Sequence, residues 1–147
     1  MERIALFPGS FDPMTTGHLA LLQRAMPLFD KIIVAVGINK DKRNAYPLDE
    51  RMQRIRMAVN NMPNVEVATY ESLTTDFCHE CGARFILRGV RSLSDYEYER
   101  NIADINRTIA PDIETVFLFA DPAHAMISSS MIRELRAFGK DVSDFLA

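Results

Sequence analysis

The stretch KIIVAVGI, residues 31–38, runs from Ile32 to Ile38 without a single polar side chain. A strand with one face in water alternates apolar and polar residues; one covered on both faces does not, and that is the mark of a parallel sheet sandwiched between helices. RIALF (3–7) reads as a second strand of this kind, ended by Pro8-Gly9. Between the two, HLALLQRAMPLF (18–29) places Leu21, Leu22, Ala25, Leu28 and Phe29 at helical spacing, with Pro27 ending or distorting the helix because it lacks an amide donor. Strand, helix and strand in that order form a βαβ unit, for which a right-handed crossover is expected.

The pattern repeats. LDERMQRIRMAVNNM (48–62) is an amphipathic helix with Met52, Ile55, Val59 and Met62 on one side, followed by the strand VEVATY (65–70). TTDFCHECG (74–82) reads as a short helix stopped by Gly82, RFILRG (84–89) as a strand, and SDYEYERNIADINRTI (94–109) as a longer helix. TVFLF (115–119) is the last strand, before a helix in SSSMIRELRAFG (128–139) with a serine cap at its start and Gly139 at its end. The expected fold is α/β, doubly wound and Rossmann-like, with five parallel strands. At 147 residues, with no repeat or linker, one domain spanning 1–147 is expected.

The balance of 17 Lys+Arg against 20 Asp+Glu, net −3, argues against bulk nucleic-acid binding but leaves room for a small anion held by a local cluster of cations. No apolar run approaches the roughly 18 residues of a membrane span, and MERIALFPGS lacks the pattern of a secretory leader. A cytoplasmic protein with no membrane association is expected. Cys78 and Cys81 form a lone C-x-x-C in CHEC. With no second half for a zinc site, and lying toward a helix end rather than at a helix start, they read as ordinary partly buried thiols. No cluster of metal-ligating residues stands out.

In a doubly wound fold, ligands bind beyond the carboxyl ends of the strands, and the unusual residues gather there. PGSFDPMTTGH (8–18) satisfies neither G-x-G-x-x-G nor the G-x-x-x-x-G-K-[ST] phosphate loop. It still offers a glycine for close backbone approach (Gly9), a short hydroxyl (Ser10), and a helix start at Gly17 whose amides suit an anion. Asp12, Thr15 and Thr16 are candidate local caps, and His18 is a candidate donor to phosphate oxygens. After the second strand come Lys40, Lys42 and Arg43, among which position alone does not choose. LRGVR (87–91) sets Arg88 and Arg91 on either side of Gly89, and a guanidinium fork suits phosphate; Asp95, Glu97 and Glu99 are alternative partners. MISSSMIRE (126–134) puts Ser128, Ser129 and Ser130 at another helix start, with Arg133 one turn in.

Such a cradle suits more than one phosphate group. No Ser-His-Asp set or acid/base carboxylate pair accompanies it, as expected if the nucleophile is itself a phosphate. The second pKa of a phosphate monoester lies near 6, so it is already anionic at neutral pH. What remains is the repulsion between two anions, which fixed positive groups overcome.

PGSFDPMTTGH, LRGVR, DYEYE and ISSSMIRE together resemble bacterial phosphopantetheine adenylyltransferases, nucleotidyltransferases marked by (T/H)xGH and ISSxxxR-type motifs. The resemblance runs from Arg3 to about Leu146. TxGH marks only the superfamily, while its combination with LRGVR and the aromatic-acidic run is specific to the phosphopantetheine branch. It implies adenylyl transfer from ATP to 4'-phosphopantetheine, giving 3'-dephospho-CoA and pyrophosphate, with Mg²⁺ assisting and no covalent intermediate. It also implies His18, Lys42 and Arg91 as catalytic residues, and Ser10, Lys42, Thr74 and Arg88 around the acceptor. On the ATP side it implies Ser10, Phe11, His18, Gly89, Val90, Arg91, Glu99, His124, Ala125, Met126, Ile127, Ser128, Ser129 and Ser130. A homohexamer built as a dimer of trimers, and CoA as a feedback ligand, are further implications. The chain departs from the family pattern at Ser10 (usually Thr), at His124 (usually aromatic), and in stopping soon after DVSDFLA. A nicotinate or nicotinamide mononucleotide adenylyltransferase, a related cytidylyltransferase, and an ATP- or CoA-sensing module without turnover are the alternatives.

Overall fold

Five strands and five helices alternate along the chain, which the computed structural model describes from Met1 to Ala147. In order they are β1 (Ile4–Gly9), α1 (Thr16–Ala25), β2 (Lys31–Gly37), α2 (Leu48–Ala58), β3 (Val65–Tyr70), α3 (Thr74–Cys81), β4 (Phe85–Val90), α4 (Leu93–Ile109), β5 (Glu114–Phe119) and α5 (Ser129–Ala137). The strands form one parallel sheet in the order β3-β2-β1-β4-β5. This is the doubly wound arrangement expected from the sequence. The chain moves outward from β1 to β2 on one side and from β4 to β5 on the other, so strand order reverses between β1 and β4. A crevice opens at such a switch point, beyond the carboxyl ends of the strands.

The period of two along each strand divides the interior into two cores. Ala5, Phe7, Ile32, Val34 and Val36 face one layer, packed with Leu21, Leu22 and Ala25 of α1 and Met52 and Ile55 of α2. Ile4, Leu6, Ile33, Ala35 and Ile86 face the other, with Cys78 of α3 and Ile113 before β5. Leu6, Leu22, Ile55 and Leu87 are wholly enclosed, each contributing about 1.5–3 kcal/mol by leaving water. The continuous apolar runs exist because neighbouring residues serve opposite layers.

Three helix boundaries differ from the sequence expectation. Helix α1 begins at Thr16, one residue before the start expected at Gly17, because Thr15 caps it and His18 is its third residue. It ends at Ala25, and Met26–Leu28 continue as a tight 3-10 turn with Pro27 near its start. Helix α2 stops at Ala58, yet Val59 and Met62 remain buried in the turn that follows. Gly82 ends α3 with φ of 77°, in the left-handed region that glycine adopts without penalty. Cys78, one residue of the C-x-x-C, is fully enclosed, and burial first, with Cys81 and Asp112 adding, pushes its thiol up to about 12. It is a protonated core side chain.

Candidate active site

A cleft of about 470 Å³ lies at the switch point. Its walls come from the loop after β1, the end of β4, the segment after β5, the start of α5, and Lys42 from the loop after β2. Of the residues anticipated from sequence, it collects Ser10, Phe11, His18, Lys42, Arg88, Gly89, Arg91, Glu99, His124, Ile127, Ser128, Ser129 and Ser130. Thr74 lies instead in an adjoining cleft of about 190 Å³, which shares Pro8, Gly9, Arg88 and Glu99 with the first. Arg88 therefore stands between the two spaces. Val90, Ala125 and Met126 line neither. Val90 points into the fold, and Met126 is 86% exposed.

His18 is set by a reciprocal cap. Its backbone N–H donates to the Thr15 hydroxyl at 3.2 Å, and its Nδ1 accepts the Thr15 backbone N–H at 2.9 Å. With Nδ1 accepting, the neutral ring carries its proton on Nε2. Burial lowers the His18 pKa to about 4, with the charges of Arg88 and Arg91 reinforcing the shift. The Phe11 ring meets the imidazole edge to face at 5.0 Å between centroids. Phe11 itself holds φ of 46°, a conformation that costs a non-glycine residue free energy and that its tightly packed ring retains.

Two loops meet at one corner of the cleft. Lys42 Nζ donates to the Ser10 hydroxyl at 3.2 Å, bringing together residues 32 positions apart. Arg88 donates through Nε and Nη2 to the two oxygens of Glu99, at 2.9 and 2.6 Å, and through Nη1 to the Pro8 carbonyl at 2.6 Å. Burial opposes the guanidinium charge, but the Glu99 hydrogen bonds and carboxylate outweigh it and raise the pKa. Glu99 thus has both oxygens on Arg88. Arg91 donates through Nε to Asp95 at 3.0 Å and through Nη1 to the Ile127 carbonyl at 3.4 Å.

Three serines at the start of α5 have three different partners. Ser128 caps the helix by accepting from the Met131 amide, Ser129 donates to the Pro13 carbonyl at 2.7 Å, and Ser130 accepts from Arg133 at 3.1 Å. Arg133 also donates to the Asp12 carbonyl at 2.8 Å, tying α5 to the first loop. His124 Nδ1 sits 2.8 Å from Asp121, and its backbone packs against Gly17, where an added Cβ would come within 3.6 Å of the His124 Cβ. At Gly89 a Cβ would fall 2.6 Å from Leu21 Cδ1, so β4 and α1 approach closely only without a side chain there.

Sequence reasoning did not single out Arg51 or Tyr98. Tyr98 lines the cleft from α4. Arg51, on α2, is 4% exposed and donates to the Ser10 carbonyl at 2.8 Å and the Tyr46 carbonyl at 3.0 Å. A charged residue on an amphipathic helix ordinarily reads as solvated, and nothing in its neighbours marks it otherwise. Asp12, considered as a cap for the first loop, reaches instead across to the second loop and accepts from the amides of Ala45 and Tyr46 at 2.9 and 2.8 Å.

A family profile described as cytidylyltransferase-like matches residues 6–135. The chain is 44% identical to the phosphopantetheine adenylyltransferase of Bacteroides thetaiotaomicron, over 98% of this chain and 95% of that one. It is 49% identical to the enzyme of that name from Leuconostoc citreum, over 94% and 87% of the two chains. Among solved structures, a bifunctional NMN adenylyltransferase/ADP ribose pyrophosphatase from Francisella tularensis superposes with a TM-score of 0.73 at 16% identity, over 99% of this chain. This chain spans 45% of that one, and at such identity the likeness shows the fold alone. The chain belongs to the cytidylyltransferase-like family and, within it, to the phosphopantetheine adenylyltransferases.

Proposed function

We propose that the chain transfers the adenylyl group of ATP to 4'-phosphopantetheine, releasing pyrophosphate and forming 3'-dephospho-CoA. Near full-length identity to phosphopantetheine adenylyltransferases carries this reading, and the cationic cleft supports it. A phosphate oxygen of the acceptor forms a bond to the α-phosphorus as the bond from that phosphorus to the bridging oxygen of the leaving pyrophosphate breaks. The attacking phosphate is already anionic at neutral pH and needs no general base. What the chain supplies is alignment of two anions and compensation of the charge that builds at the α-phosphate.

His18 is the donor for that charge. Its Nε2–H is fixed by the Thr15 contact to Nδ1, and a neutral imidazole donates without giving up a proton. Ser10 and Lys42 hold the acceptor phosphate from one corner, and Arg88, oriented by Glu99, serves it from the other side. The adjoining cleft beside Thr74 receives the pantetheine arm. Gly89 to Arg91, His124 and the serines at the start of α5 form the ATP side, where the helix N-terminus favours phosphate. Val90, Ala125 and Met126 then contribute backbone at most. CoA joins a pantetheine arm to a nucleotide and so fits as a feedback ligand across both clefts.

The carboxylates do not make a magnesium cage. Both Asp12 oxygens accept backbone amides, both Glu99 oxygens meet Arg88, and no group of three potential ligands occurs. Mg²⁺, where bound, would take substrate phosphate oxygens and water rather than a cage of these carboxylates.

The proposed assembly is a hexamer of identical chains. Tyr98, Ile102, Ile105 and Ile109 form an exposed stripe on α4 at 66, 37, 61 and 55%, an apolar face that self-association would cover. No helix is long and apolar enough to cross a membrane, and the proposed compartment is the cytoplasm. The test of function is pyrophosphate release with ATP and each of 4'-phosphopantetheine, nicotinate mononucleotide and nicotinamide mononucleotide. Release dependent on 4'-phosphopantetheine supports the reading; release with a mononucleotide alone replaces it.

A further inference from the structure

Arg51 is buried to within 4% of its surface, and no carboxylate lies within ion-pair distance of it. Its partners are two backbone carbonyls, Ser10 at 2.8 Å and Tyr46 at 3.0 Å. A carbonyl dipole satisfies a guanidinium N–H without supplying a full counter-charge. The two carbonyls belong to different loops, the one that carries Ser10 and the one that carries Lys42.

Asp12 bridges the same loops in the opposite direction. Its oxygens accept from the amides of Ala45 and Tyr46 at 2.9 and 2.8 Å, from a side chain only 1% exposed. Tyr46 is therefore gripped on both sides of its backbone, by Asp12 at the N–H and by Arg51 at the C=O. Its ring is also covered by Arg136 of α5, with the guanidinium carbon 4.3 Å from the centroid. Lys42 lies four residues before this anchor and reaches Ser10 at 3.2 Å.

We propose that Arg51 is a positioning residue for the acceptor phosphate. It locks the Ser10 and Lys42 loops in register through the Ser10 and Tyr46 carbonyls. This rests on the acceptor assignment made above. A mere packing role predicts equal damage to both substrates; a clamp on this corner affects the acceptor selectively.

Arg51→Met and Arg51→Lys are assayed by pyrophosphate release, varying 4'-phosphopantetheine at saturating ATP and then the reverse. Loss of a charged clamp raises the KM for the acceptor about tenfold or more, while the KM for ATP stays within about twofold. Arg51→Lys, which keeps the charge but loses the rigid fork that reaches the two carbonyls from separate nitrogens, falls between wild type and Arg51→Met. Equal shifts in both KM values, or in neither, overturn the proposal. Thermal unfolding with inorganic phosphate reads the corner without catalysis. Phosphate stabilises wild type more than Arg51→Lys, and equal stabilisation overturns the clamp even if Arg51→Met does not fold. A wild-type chain that releases no pyrophosphate with 4'-phosphopantetheine refutes the function instead, and the phosphate titration still judges Arg51.

Discussion

Glu99 holds Arg88 by both carboxylate oxygens, at 2.9 and 2.6 Å, from a helix of 17 residues in which Glu99 alone is buried. The pair fixes a guanidinium at the border of two clefts. Breaking a largely buried ion pair from one side leaves a charge uncompensated. Glu99→Gln is accordingly expected to lower stability by about 2–4 kcal/mol, read by urea unfolding, and to weaken the acceptor more than ATP. A variant as stable as wild type would show that Arg88 needs no anchor.

The pH dependence of stability carries a signature of His18. The unfolded ring takes up a proton near pH 6.5, whereas folded His18 resists protonation until about pH 4. Between those values the unfolded chain binds more protons, so stability falls as pH drops through the window and levels off below it. The expected loss is about 3 kcal/mol at most, and His18→Ala removes this part of the slope. Chemical unfolding of both chains from pH 7 to pH 4 checks it; parallel curves would contradict the shift.

Catalysis tests the same ring differently. His18→Ala is expected to lower kcat by about two to three decades, the size of losing one charge-stabilising donor. ATP affinity, read by calorimetry, should change little. A comparable loss in both would assign His18 to ground-state binding.

Lys42→Ala removes the cation beside Ser10, on an exposed loop whose anchor at Tyr46 stays in place. The KM for 4'-phosphopantetheine should rise about tenfold or more with stability within about 0.5 kcal/mol. Steady-state kinetics at saturating ATP provide the check, and an unchanged acceptor KM would place the phosphate elsewhere.

Much of this architecture was legible because its causes are local. The apolar runs of β1 and β2 announce a sheet covered on both faces, and glycine and hydroxyl residues mark the loops at its carboxyl edge. Thr15 and His18 lie three apart, so their reciprocal cap is within reach of sequence reasoning. The contacts that escaped are tertiary. Arg51 is buried only because the Ser10 and Tyr46 carbonyls converge on it, and its helix looks solvated from spacing alone. Glu99 was one of three carboxylates named as partners for Arg88 and Arg91; which carboxylate takes which arginine is set by how α4 lies along β4. Asp12 crosses to a loop 33 residues away, which no local cap rule anticipates.

The exposed stripe on α4 gives the assembly its own test. Ile105 is 61% exposed, so Ile105→Glu should leave the folded chain intact and shift it to smaller species by light scattering. An unchanged mass distribution would move the contact to another face.

Single-turnover transfer from ATP labelled at the α-phosphorus tests the central claim most directly. With 4'-phosphopantetheine the label should pass into dephospho-CoA as pyrophosphate leaves, none remaining on the chain. Label retained on the protein, released as AMP, or carried equally well to nicotinate mononucleotide would contradict direct attack by a phosphopantetheine acceptor.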